Sequence, residues 1–353
     1  MIPRKVQSVG YSTLVVSLPK NWVDEVGLKK GDIIGFLREE DGSLRLIPEA
    51  RLSSGEKDIA IVNADSCEVE SLLTRIITGC YIRGFDTIQI ISKTELKPHH
   101  LREIRKTTNR LTGMGIVEQT MRKVTIQSFV DPTKFPMEGL LRRLHVIALS
   151  MQDIAMEALL KGRPELAKEV IRMEEEANGI YWLIIRQLIL ALEDINIFKK
   201  IGLAFPRSIG NRVIAKCLEE MADYAENIAV ETLQIGVWDW SQNERLTNGL
   251  SRFHKLVREI SSKALTAFFK GDVKMANETI EMAKKAELEE RRLLEHILIN
   301  VQYVNLAVGL RSIAWSLRQI AVYSGMIGEI TINTAITEPS DLIRFEKTKS
   351  KKS

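Results

Sequence analysis

Cysteine is scarce in this chain, and its three examples, Cys67, Cys80 and Cys217, stand far apart with no CxxC pair and no histidine close by. That spacing points to neither a disulfide framework nor a thiolate zinc site. No apolar run approaches the roughly 18 to 20 residues of a membrane span. The longest candidate, residues 180–192, is interrupted by Arg186 and Gln187 and reads as a buried helix. The opening Met-Ile-Pro-Arg-Lys is followed by no apolar stretch of the export type, so the expectation is a cytoplasmic protein without membrane insertion. Net charge is also small, +4 over 353 residues, so any polyanionic partner must be recognised through local charge. Catalytic signatures are missing: there is no Gly-rich phosphate loop, GxSxG elbow or HExxH. His145, His254 and His296 lack the Glu three residues earlier that a di-iron helix pair requires, and His99-His100 after Pro98 reads as an exposed pair at a helix start. The expectation is a protein that is not an enzyme.

What is present is ample material for folding. Hydrophobic residues make up 45% and charged residues 27%, and a length beyond that of one core predicts several domains. Residues 1–50 alternate in short segments broken by Gly and Pro. Strands are expected at 12–18, 33–37 and 44–47, the last after the Asp41-Gly42 turn, with a short helix at 21–26 closed by Gly27. From 58 to 130 the pattern becomes α/β: strands at 59–62 and 87–91, helices at 69–82 and 98–111, then strands at 116–119 and 124–129. Beyond 137 the strands vanish. Leu141, Leu144, Ala148, Met151, Ala155 and Ala158 recur at three- and four-residue steps, as do Ile214, Leu218, Met221, Ala225, Ile228 and Thr232. The Gly162-Arg-Pro and Gly271-Asp turns, about 109 residues apart, each join two long helices, which predicts two similar three-helix units.

Arg4, Lys5 and Lys20 are the only charged side chains among the first 20 residues, and Tyr11, Ser12, Thr13 and Asn21, interleaved with them, carry hydrogen-bonding groups suited to phosphates or base edges. A solvated strand face would look the same. The run Arg4-Lys-Val-Gln, Gly10, Ser12-Thr-Leu-Val-Val-Ser-Leu-Pro19-Lys20, Gly27-Leu-Lys-Lys-Gly-Asp32 and Leu44-Arg-Leu-Ile-Pro48 resembles the SpoVT/AbrB/MazE swapped-hairpin domain. The resemblance implies a homodimer that exchanges hairpins and binds DNA through a shared basic face, with Arg4, Lys5, Tyr11, Thr13, Lys20 and Asn21 as the contacting residues. The first strand holds fewer arginines than many relatives.

In the helical region Glu219, Asp223 and Asn227 recur every four residues and form an oxygen-bearing stripe beside the apolar one. A water-facing acidic surface and a hard cation held by oxygen ligands both account for it. The segment resembles the E/DxxxD helix of PhoU proteins, phosphate-transport regulators with two three-helix repeats. That resemblance implies a metal site for iron or another divalent or trivalent ion, held by Glu174, Asn178, Glu219, Asp223 and Asn227. In the second unit Arg318, Val322 and Met326 occupy the corresponding positions, and Ala283-Lys-Lys-Ala286 replaces the acidic run, so metal is expected in repeat 1 only.

The expected fold class is therefore multidomain α+β. It comprises an N-terminal swapped-hairpin β module (1–50), a middle α/β domain (56–131), a C-terminal pair of three-helix-bundle PhoU-like repeats (137–238 and 245–338), and a basic tail (339–353). The combination resembles the archaeal-type phosphate uptake regulators, which implies a transcriptional regulator of phosphate homeostasis with DNA, and a cytosolic component of a phosphate transporter, as partners. The alternative is a PhoU-like adaptor that inhibits a transporter or signalling protein by contact and uses the hairpin module only to dimerise.

Overall fold

The computed structural model describes residues 3–10, 13–38, 42–48, 59–203, 205–238, 240, 243–336 and 341–345. Tyr11, the Asp41 end of the expected turn and most of the expected basic tail lie outside them. The chain divides into two units, Met1–Asp58 and Ile59–Ser353, each described by itself.

The first unit holds two separate antiparallel hairpins. β1 (Gln7–Val9) pairs with β2 (Thr13–Val15), placing Val9 opposite Thr13. β3 (Ile34–Arg38) pairs with β4 (Leu44–Pro48). Between them runs α1 (Lys20–Val26), which follows Pro19 and ends at Gly27 with φ +69, the left-handed conformation a helix stop favours. Of the long strand expected at 12–18, the described residues form strand only at 13–15; among them no strand pairs with residues 16–18. β1 was not foreseen, its three residues being too few for alternation to show.

The second unit begins with an α/β layer. β5 (Ile59–Asn63), α2 (Leu72–Ile82) and β6 (Thr87–Ile91) form a parallel βαβ unit; α3 (Pro98–Arg110), β7 (Met114–Gln119) and β8 (Lys123–Ser128) complete a sheet of order β5-β6-β8-β7. Both helices cover the same face. Ala60, Val62, Ile88, Ile90, Val124 and Ile126 are buried there with Leu73, Ile77, Tyr81 and Ile104, the period-two pattern of strands with one buried face. α2 starts three residues later than expected, after Ser71 at φ +65. His100 is buried rather than exposed, its ring set edge-on against His99, because it lies on the face of α3 that carries Ile104 to the core.

Six long helices follow: α4 (Met137–Lys161), α5 (Pro164–Glu193), and, after the short α6 (Ile195–Lys200), α7 (Phe205–Ile235), α8 (Glu244–Lys270), α9 (Val273–Asn300) and α10 (Val304–Ala335). Gly162 and Gly271 close α4 and α8 in nearly the same left-handed conformation, φ +61 and +63, so the repeat seen in the sequence is a structural one. Equivalent helices also pack together, α7 on α10 and α4 on α8, which joins both triplets through one apolar core.

The α/β layer is anchored to α5 by the two residues that broke its apolar run. The buried Arg186 guanidinium donates to the carbonyls of Tyr81, Gly84 and Phe85, the last at 3.0 Å, and to Asp86 Oδ1 at 2.6 Å. Gln187 Nε2 donates to Pro132 O at 3.0 Å. Gly179 lets the end of α3 approach α5: a Cβ there would stand 2.8 Å from the Arg110 carbonyl. Among the described residues no helix is long and apolar enough to cross a membrane.

Candidate functional site

Helix α7 carries Glu219, Asp223 and Glu226 on one side. At about 100° per residue, positions i, i+4 and i+7 share an arc of about 60°, whereas i+8 drifts by about 80° from i. Asn227, the i+8 position, is accordingly exposed, and Glu226 is the half-buried residue that completes the stripe. Across from them, Glu174 on α5 is close enough that its charge acts on Asp223 and that it feels Glu226 and Glu219. The sequence reading found three of these four carboxylates and missed Glu226, whose i+7 spacing was the available signal.

Burial dominates the electrostatics here. The Asp223 carboxyl is pushed up to about 7, first by burial and then by the neighbouring charges of Glu219 and Glu174. Burial also holds Glu174, Glu219 and Glu226 above the usual carboxylate range. Two polar groups offset the crowding. Lys216 Nζ lies 2.5 Å from Glu219 Oε2 and 2.8 Å from Glu220 Oε1, and Asn178 Nδ2 donates to Glu174 Oε1. No three His, Cys, Asp or Glu side chains among the described residues are grouped closely enough to hold a metal ion. The donor chemistry suits a hard cation, and the cation that Glu219 meets within the chain is Lys216.

A stability prediction follows from Asp223. Unfolded, the carboxyl ionises near 3.8; folded, it keeps its proton to about 7. Over that window the folded state binds more protons, so stability falls as pH rises and the penalty is complete above about 7. Asp223→Asn, which imitates the protonated form, should raise the melting temperature at pH 8 and leave it nearly unchanged at pH 4. Equal shifts at both pH values would count against this account.

The second triplet handles the same position differently. Arg318 on α10 sets its Nε 3.3 Å from Glu290 Oε2 and reaches Glu287 at 4.0 Å, so a cation of the chain itself meets the acidic residues of α9. Val322 and Met326 are partly exposed on the same helix.

Of the residues expected to contact DNA, Arg4 and Lys5 precede β1, Thr13 opens β2, and Lys20 and Asn21 open α1; all five are exposed. Tyr11 lies outside the described residues. Among the described residues of this unit no hydrophobic side chain joins the buried core, and Val6, Val9, Leu14, Val16, Ile33, Phe36 and Leu44 are all exposed, Leu14 at 72%.

The family model for the PhoU domain matches twice, at residues 141–232 and 250–331. The helical region is a pair of PhoU domains. Residues 7–53 match the family model described as antidote-toxin recognition MazE, bacterial antitoxin. No curated protein matches the chain. Among solved structures, PhoU from Pseudomonas aeruginosa is similar at 17% identity and TM-score 0.49, over 56% of this chain and 94% of that one. The phosphate transport system regulatory protein PhoU from Streptococcus pneumoniae is similar at 20% identity and TM-score 0.48, over 58% and 96%. Glu174, Asn178, Glu219, Asp223 and Asn227 all fall within the first PhoU domain, and Arg318 within the second.

Proposed function

We propose that this protein regulates phosphate uptake as a DNA-binding homodimer, its N-terminal module reading DNA and its PhoU domains responding to phosphate status. The observation that carries this reading is the first unit itself. Two hairpins that do not pair with each other, with Val9, Leu14, Val15, Phe36 and Leu44 exposed, are marginal alone and call for a second copy to cover them. Exchange of hairpins between two chains supplies the missing strand partners, and it doubles Arg4, Lys5 and Lys20 on one assembly. Each phosphate neutralised by such a residue releases counterions, so about six contacts give a steeply salt-dependent affinity. A cytosolic component of a phosphate transporter is the partner this reading assigns to the PhoU domains.

Measuring binding to duplex DNA across a salt series, together with solution mass, tests the reading. Dimeric protein whose DNA affinity falls steeply with salt is expected; a dimer indifferent to DNA at low salt would leave the adaptor role, with the module serving only to dimerise.

Within the same reading, a hard cation belongs to the first PhoU domain alone, where Glu174, Glu219 and Asp223 suit it chemically and would have to displace Lys216. Iron or another divalent or trivalent ion should raise the melting temperature of the wild type by linkage and leave Glu219→Ala/Asp223→Ala unaffected. Elemental analysis showing metal retained in that double variant would place the site elsewhere.

A further inference from the structure

A concave site unrelated to the carboxylate stripe lies in the α/β layer. One face of α3 and the approach to α2 enclose a cavity of about 650 Å³, within the range of small-molecule sites. Its α3 wall is cationic, formed by Arg102, Lys106 and Arg110, which recur every four residues along the helix. Its opposite wall is formed by Glu68 and Glu70 in the segment leading into α2. Neither Arg102, Lys106, Glu68 nor Glu70 has an ion-pair partner among the described residues. The remaining carboxylate, Glu103, is already engaged: it accepts from Thr74 N and Thr74 Oγ1, both at 3.2 Å, and from Ser71 N at 3.4 Å. The helix start of α2 is thus satisfied internally, and the free charges that face the cavity are Arg102 and Lys106 of one wall and the two glutamates of the other.

We propose that this cavity binds a nucleoside phosphate, with the phosphate on Arg102, Lys106 and Arg110 and the hydroxyl or amino groups of the nucleoside on Glu68 and Glu70. Ionised carboxylates only accept hydrogen bonds, so their wall demands a ligand that donates, as ribose hydroxyls and exocyclic amines do. Guanidinium and ammonium groups supply the charge-assisted donors a phosphate needs. Inorganic phosphate would leave the glutamate wall unmatched and most of the volume unfilled. A nucleic-acid strand is disfavoured by the same glutamates, which would face its backbone with like charge. Arg110 is shared: its Nε and Nη2 donate to Glu175 Oε1 at 3.3 and 3.0 Å, and its charge also acts on Glu174 and Glu226. A ligand phosphate therefore competes with the first PhoU domain for one guanidinium, and the site feeds into the carboxylate stripe.

Calorimetric titration of the full chain with AMP, adenosine and inorganic phosphate tests the assignment without DNA, so its outcome is independent of the DNA-binding reading. Saturable AMP binding below about 1 mM is expected, with adenosine and phosphate each at least about tenfold weaker. R102A/K106A should lose about tenfold or more in AMP affinity while melting as the wild type does, since both side chains are exposed. E68Q/E70Q should weaken AMP and not phosphate, and E175Q, which releases Arg110, should tighten AMP by about two- to threefold. AMP that fails to saturate, phosphate that binds as tightly as AMP, or R102A/K106A that binds like wild type would overturn the proposal, and an unchanged E175Q affinity would remove Arg110 from it.

Discussion

Replacing Arg186 by Met should separate the α/β layer from the helices and cost about 3 to 5 kcal/mol of stability, the range for breaking a buried, hydrogen-bonded ion pair by removing one partner. The guanidinium serves three backbone carbonyls and the Asp86 carboxylate at once. Met fills most of the volume but leaves those acceptors, already out of water, with nothing to replace the donors. Arg83→Ala makes the contrast: its pair with Glu193, at 3.3 Å, is exposed on both sides, and its loss should cost less than about 1 kcal/mol. Thermal unfolding should show the Arg186 variant melting in two steps and the Arg83 variant in one. Equal effects from the two substitutions would mean that Arg186 is not the anchor.

The second large effect is expected on DNA. In the triple variant Arg4→Ala/Lys5→Ala/Lys20→Ala, six positive charges leave each dimer. The slope of log affinity against log salt should shrink by about five, and binding near 0.1 M salt should weaken by about a hundredfold or more for every sequence tested. Because all three side chains are exposed, the melting temperature should hardly move. Affinity and slope equal to those of the wild type would remove these residues from the interface, whatever else binds DNA. Thr13→Ala or Asn21→Ala, by comparison, should alter discrimination between sequences more than affinity in general.

What the sequence made legible was whatever is periodic or local. Helices α4 and α7 announce themselves by apolar steps of three and four, and the glycines at 162 and 271 mark equivalent turns because only a residue without Cβ enters the left-handed region freely. The α/β order was readable for the same reason. Long-range pairing was not. Arg186 interrupts an apolar helix, and nothing local says that it reaches the loop after α2, about a hundred residues earlier. The candidate site divides along the same line. Glu219 and Asp223 are apparent from spacing, but the angular drift that turns Asn227 outward and brings Glu226 in requires the helix to be built. That Lys216 folds back onto Glu219 is a choice among rotamers, which spacing alone leaves open.

Arg318 gives the two PhoU domains different electrical characters. A charge that belongs to the chain cannot be chelated or exchanged, so Glu290 and Glu287 of α9 have a built-in counter-ion in Arg318. The carboxylates between α5 and α7 are steadied instead by Lys216 and Asn178 and, through its charge, by Arg110, and their state varies with protons in the surroundings. The first half of the helical region thus carries the titratable cluster, and the second carries a charge pair in its place. Packed through α7 and α10, two otherwise similar bodies therefore differ in how their charge depends on pH.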